Sequence, residues 1–251
     1  MDSSFQIYID SVNATRYFDS TNYCEYRLPL IEVDSQYHFN ISVIDANIPY
    51  SFYNVNNHNN TLSYVEDPYF TFVVHNITIP VGNYTINSLV TMLNSLIQPL
   101  TVTYNNLTNK MTFVHPTLQF GLYTENNTCF ELIGFNKKNH FSGTSPRTLI
   151  SDTCCNLNSI RSICICSNHH TNNIHVNKPT MRSMIASIPV NAQPNQLIAY
   201  TNINNFRNNL FSHILHSITI KLIDQNGYVV DLNGAHYNMT LQIDLFKFVV
   251  D

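Results

Sequence analysis

From Tyr237 to Leu245 the chain alternates without a break. Tyr237, Met239, Leu241, Ile243 and Leu245 fall on one parity, and Asn238, Thr240, Gln242 and Asp244 on the other. Only an extended strand sends successive side chains to opposite faces, so this run requires a sheet with one apolar and one polar side. The same period of two appears in Phe5, Ile7 and Ile9, in Tyr37, Phe39, Ile41 and Val43, and in Ile218, Ile220 and Leu222. Turn residues separate the runs. Asp224-Gln225-Asn226-Gly227 predicts a tight hairpin with Gly at positive φ, and Asn233-Gly234 a second turn. Strands punctuated in this way predict a sandwich or barrel rather than βαβ units.

One segment breaks the period. After Pro80-Val81-Gly82-Asn83-Tyr84-Thr85, residues Ile86, Leu89, Val90, Leu93 and Leu96-Ile97 recur at helical spacing, with Thr85 as the expected N-cap and Pro99 as the stop. Strands are expected at 100–104 and 110–114, around the Asn105-Asn106-Leu107-Thr108-Asn109 turn. Residues 61–135 therefore read as an inserted α+β segment carrying one main helix, within a single domain of residues 1–251. The stretch 136–155 reads as loop and holds Lys137, Lys138 and Arg147.

Composition narrows the function classes. Fifteen Tyr and fifteen Phe exclude a disordered chain. A formal net charge of −4 with only 12 Lys+Arg argues against a broad phosphate-binding surface. Six Gly leave little room for phosphate-cradling loops. Only 11% of residues are charged, while about one in seven is Asn. Uncharged polar side chains suit a surface that neighbouring molecules cover, because each buried charge would need a partner. The opening Met1-Asp2-Ser3-Ser4-Phe5 lacks a basic n-region and an apolar h-region, so no signal peptide is expected. No membrane span is expected either, and the six Cys read as free thiols of a reducing compartment.

The residues that invite a chemical reading are Cys154, Cys155, Cys164, Cys166, His169, His170 and His175, all zinc-ligand types. Their spacing lacks the short gaps that close on one ion, and Ile163-Cys164-Ile165-Cys166 alternates as a strand. The two thiols are thus expected on one sheet face and the isoleucines on the other. No metal, cofactor or catalytic residue is assigned. No Gly-x-Ser-x-Gly elbow, Rossmann, Walker or EF-hand pattern occurs. His213, His216 and His236 read as ordinary strand histidines, and Asp10, Asp45, Asp224 and Asp231 as strand-end or turn carboxylates. Lys137, Lys138 and Arg147, with His140 and Phe141 beside them, read as a solvated loop rather than a nucleic-acid site.

Val43-Ile44-Asp45-Ala46-Asn47-Ile48-Pro49-Tyr50-Ser51-Phe52-Tyr53-Asn54-Val55 ends an alternating strand in an Ile-Pro turn followed by an aromatic and Asn cluster. Three further motifs follow it in order: Pro80-Val81-Gly82-Asn83-Tyr84-Thr85, Leu132-Ile133-Gly134-Phe135 and Asp231-Leu232-Asn233-Gly234. Together they resemble the penton or minor capsid proteins of virophages, polinton-like viruses and related large DNA viruses of eukaryotes. The resemblance implies an all-β-dominated single jelly-roll sandwich with the inserted segment. It also implies a homopentamer at icosahedral vertices, partnership with the major capsid protein and other capsid components, and a place in the virion. A cement role in the capsid is the near alternative.

A β-sandwich that recognises carbohydrate or a host receptor is the rival from another class. Tyr, Phe and Asn are suitable contact residues, although the chain has no Trp. Such a module is expected to cluster aromatics on one exposed face.

Overall fold

The alternating runs become paired strands in the computed structural model, which describes residues 3–18, 22–34, 36–171, 173 and 183–247. The chain enters through β1 (Ser3–Asp10), a 3-10 turn at Ser11–Asn13, β2 (Arg16–Tyr17), β3 (Tyr23–Glu32) and β4 (Tyr37–Pro49). It continues through β5 (Thr61–Glu66), β6 (Val73–Thr78), α1 (Ile86–Leu96), β7 (Thr101–Asn105), β8 (Lys110–Val114) and β9 (Phe120–Leu122). Then come α2 (Phe130–Ile133), β10 (His140–Phe141) and β11 (Thr148–Ile150). The return carries β12 (Ser162–Cys166), β13 (Met184–Pro189), β14 (Leu197–Thr201), β15 (Asn208–Asn209), β16 (Ile214–Asp224) and β17 (Asn238–Lys247). Two compact units result: residues 1–52 with 160–251, and Tyr53–Ser159.

In the first unit all described strand pairs are antiparallel, and their pairing is nested. With the two-residue strands β2 and β15 set aside, β1 pairs with β17, β3 with β16, β4 with β14 and β12 with β13. First pairs with last, second with last but one, and so inward to the middle. A long antiparallel ribbon rolled into two sheets produces this pattern, which is a jelly roll. The two sheets run β1-β17-β4-β14 and β13-β12-β16-β3.

Their inner faces meet in one core, which includes Ile9, Phe39, Ile41, Val43, Ile163, Ile165, Ile218, Ile220, Leu222, Met239, Leu241 and Ile243. The odd-numbered residues 239, 241 and 243 of β17 point inward, as the alternation requires. In β4 the apolar phase shifts between Val43 and Ala46, because a bulge at Ile44 lets Thr240 face Asp45 and Leu241 face Val43. The core also holds the hydroxyls of Tyr26 and Tyr237, 3.3 Å apart. Burial pushes both phenols above their ordinary range.

The second unit places α1 beside two small sheets, β10-β9-β5-β6 and β11-β8-β7. Thr85 caps α1: its Oγ1 accepts from the Ser88 N–H at 3.2 Å, and Ser88 Oγ accepts from the Thr85 N–H at 2.9 Å, a reciprocal capping box. Leu89 and Leu93 then fall on the buried stripe with Val102, Phe113 and Phe130. Two details depart from the sequence reading. A four-residue helix, α2, ends on Gly134 at φ +81°, and the stretch read as loop forms the short strands β10 and β11. Runs of two to four residues are too short to carry a period.

Candidate interaction surfaces

Among the described residues, no three of the candidate zinc ligands form a metal site. Cys154 is exposed and Cys155 half-buried in the Tyr53–Ser159 unit, where the Cys155 thiol lies 3.4 Å from the Asn109 carbonyl. Cys164 and Cys166 belong to the other unit. They lie on the outer face of β12 and pack with Ile223, Met184 and Val229, while Ile163 and Ile165 enter the main core. His169 Nε2 donates to the Ser217 carbonyl at 3.0 Å. His170 carries only a backbone contact among those described, its carbonyl accepting from Phe211 N–H, and His175 lies outside the described residues. None of the six cysteines forms a disulfide.

Burial pushes the thiols of Cys129 and Cys166 up to about 12, and raises those of Cys24, Cys155 and Cys164 as well. A chromogenic disulfide reagent at pH 8 is therefore expected to modify Cys154 rapidly in the native protein, and all six thiols only after unfolding. Fast modification of Cys164 or Cys166 would show that the outer face of β12 opens to solvent.

The turn carboxylates serve locally. Asp10 Oδ1 accepts from the Val12 N–H, Asp224 Oδ1 from Asn226 and Tyr228, and Asp231 Oδ1 from Asn233. Asp45 accepts from the Thr240 hydroxyl at 3.2 Å, and His236 Nδ1 lies 3.0 Å from Ser11 Oγ. In the basic loop His140 is buried, with Nε2 3.0 Å from the Asn136 carbonyl and 3.4 Å from Asp152 Oδ2. Lys138 Nζ stands 4.0 Å from the same carboxylate, which offsets the positive charge.

One constellation escaped the sequence reading. Glu66 on β5 faces His75 Nε2 at 3.5 Å and His115 Nε2 at 3.4 Å. Three such donors suggest a metal centre, but the tautomer does not allow it. His115 Nδ1 accepts the N–H groups of Thr117 (3.1 Å) and Leu118 (2.7 Å), so the ring proton sits on Nε2 and leaves no lone pair there for a cation. The cluster ties the turn after β8 to β5.

The jelly roll also exposes features that the sequence reading did not single out. β13 and β14 are the terminal strands of their sheets, and a cleft of about 450 Å³ opens beside them, lined by Val43, Ile185, Tyr200, Ile203 and Phe206 among others. Ile203 is 85% exposed, Phe206 is exposed in the same cleft, and Leu197 is exposed at the start of β14. The signal was present in the sequence: from Ser183 to Phe206 there is no Asp, Glu, Lys or Arg. Open strand edges ordinarily carry such charges to prevent pairing, and this uncharged, partly apolar edge lacks that protection. At the opposite edge a smaller cleft of about 220 Å³ lies between β1 and β3, and Tyr8, Val12 and Tyr17 are exposed in that region.

No family model matches the chain, and no curated protein does. Solved structures do. The mavirus penton protein superposes with a TM-score of 0.53 at 9% identity, over 98% of this chain and 100% of that one. A chain of the Sputnik virophage structure gives a TM-score of 0.44 at 13% identity, over 95% of this chain and 97% of that one. The chain thus shares its fold with the mavirus penton protein over 98% of its residues, and the nested strand pairing of the first unit is the jelly roll of that fold.

Proposed function

We propose that this chain is a structural capsid protein, and not an enzyme, that closes into a homopentamer at the vertices of an icosahedral virion. In this reading residues 61–135 belong to an α+β subdomain inserted into the single jelly-roll domain, and the flanks of the ring meet the major capsid protein and other capsid components. The mechanism is geometric: five copies fill a vertex. The fold shared with the mavirus penton protein supports the class.

The observation that carries the ring is the uncharged β13/β14 edge. A closed ring with no two-fold axis needs two different surfaces on each subunit. The β13/β14 edge with its larger cleft is one of them. The β1/β2 edge of the next copy, with Tyr8, Val12 and Tyr17, is the other.

Light scattering on a sizing column tests the proposal. The wild-type chain of 28.8 kDa is expected to elute near 144 kDa, about five copies. The double variant Ile203→Asp with Phe206→Asp is expected at the mass of one chain and still cooperatively folded, because it places two charges in the covered edge. A wild-type monomer at every concentration refutes the ring. An oligomer that the double variant leaves intact refutes this edge as its interface and retains the ring.

A further inference from the structure

The turn joining β5 to β6, Asp67-Pro68-Tyr69-Phe70-Thr71-Phe72, is closed by its own hydrogen bonds. The Asp67 N–H donates to the Gln119 carbonyl at 2.8 Å, and the Asp67 carbonyl accepts from the N–H groups of Phe70 and Phe72. Its carboxylate accepts from the Thr71 N–H (3.2 Å) and hydroxyl (3.0 Å). Asp67 and Phe72 both sit at positive φ, +49° and +50°. For a bulky residue such as Phe72 that conformation is costly, and it persists only where the surroundings enforce it.

The strain holds aromatic rings in the open. Tyr69 lies 6.1 Å from Phe141 between ring centroids, Phe141 5.6 Å from Tyr123, and Tyr123 5.6 Å from Phe72. Phe70 is 85% exposed on the same turn, and Tyr69, Phe72 and Phe141 are exposed as well. Polar groups near the cluster are fixed too. Asn139 precedes the Phe141 strand, and its Oδ1 accepts from both the N–H (3.0 Å) and the hydroxyl (3.1 Å) of Thr124, the residue after Tyr123. That leaves the Asn139 Nδ2 group, on an exposed side chain, to donate elsewhere.

We infer that this aromatic cluster of the Tyr53–Ser159 unit is a binding site for neutral carbohydrate. The C–H face of a pyranose ring is apolar and stacks on aromatic rings, while its hydroxyls need uncharged hydrogen-bonding partners such as the Asn139 amide and the Thr124 hydroxyl. The area favours a small ligand over a protein. At about 200 Å² per fully exposed ring, Tyr69, Phe70, Phe72 and Phe141 together present roughly 500 Å², short of the roughly 800 Å² that a standard protein partner covers. The backbone of the turn is ordered before the ligand arrives, so little entropy is lost on binding. A structural protein carrying this site gains an attachment function that its fold does not require, and the inference stands independently of the ring.

Saturation-transfer NMR with cellotriose and lactose as probes tests it. Irradiating the protein aromatic protons is expected to saturate the sugar ring C–H protons of at least one probe in the wild-type chain. Tyr69→Ala with Phe141→Ala is expected to weaken that binding about tenfold. Leu107→Ala, which removes another exposed apolar side chain of the same unit, is expected to leave it unchanged. Thermal melts confirm that the variants are folded. No transfer to either sugar at millimolar concentration, or transfer that the double variant retains, overturns the inference.

Discussion

Arg207→Ala is expected to destabilise the sandwich by about 3 kcal/mol, the lower end of the range for stripping a buried charge of its partner. Asp244 lies on the outer face of β17, yet it is only 1% exposed. Arg207 Nε stands 3.1 Å from its Oδ2, and Gln242 Nε2 donates to its Oδ1 at 2.7 Å. With Arg207 removed, the carboxylate retains one hydrogen bond and loses its counter-charge. Because the arginine side chain is a third exposed, water replaces part of the interaction, which sets the lower end.

Asp244→Asn is expected to cost about 1 kcal/mol, since the arginine left behind can hydrate. The double variant then falls short of the sum, a positive coupling between residues in contact. Urea melts read all three, with the midpoint moving and the slope constant. A cost below about 1 kcal/mol for Arg207→Ala would mean that the site rehydrates freely. Arg207 adjoins Phe206 and anchors to the sheet the segment that carries Ile203, so in the proposed ring the same pair would hold the interface in place.

Gly134→Ala is expected to cost the Tyr53–Ser159 unit about 2–5 kcal/mol. The residue ends α2 at φ +81°, and a Cβ there would lie 2.5 Å from the Thr153 carbonyl oxygen and 3.0 Å from backbone atoms of Cys154 and Cys155. Backbone cannot turn aside as a flexible side chain can. Moreover, the Gly134 carbonyl accepts from the Thr153 N–H (2.9 Å) and hydroxyl (3.0 Å), so displacing that segment breaks two hydrogen bonds. Gly234→Ala is the control. Its φ is +79°, but nothing lies within 4 Å of the added carbon, so only the conformational penalty of about 1–2 kcal/mol applies. Equal losses at the two sites would show that the 153–155 segment yields.

The alternation of Met239, Leu241 and Ile243, the Thr85 cap and the Asn105–Asn109 turn were legible because each is a local rule. A side chain's parity, a cap's hydroxyl and an Asx turn depend on residues within four positions of one another. Asp244 shows where that stops. Its parity marks it as solvent-facing, yet it is buried, and its ion-pair partner Arg207 comes from a distant loop. The cluster of Glu66, His75 and His115 is assembled from β5, β6 and the turn after β8, at separations no spacing rule covers. The uncharged run 183–206 was readable in principle, yet its meaning depends on β13 and β14 being edges, a fact of sheet order.

By itself, then, the sequence determined the long alternating strands, which face of each is apolar, and where the one main helix begins, because hydrophobic periodicity and capping act over a few residues. The tertiary structure alone decided the nested pairing of first strand with last, the two edges left open and the ring of aromatics around Tyr123. Those depend on which distant strands share hydrogen bonds, and many pairings of the same strands would bury the same apolar faces before packing selects one.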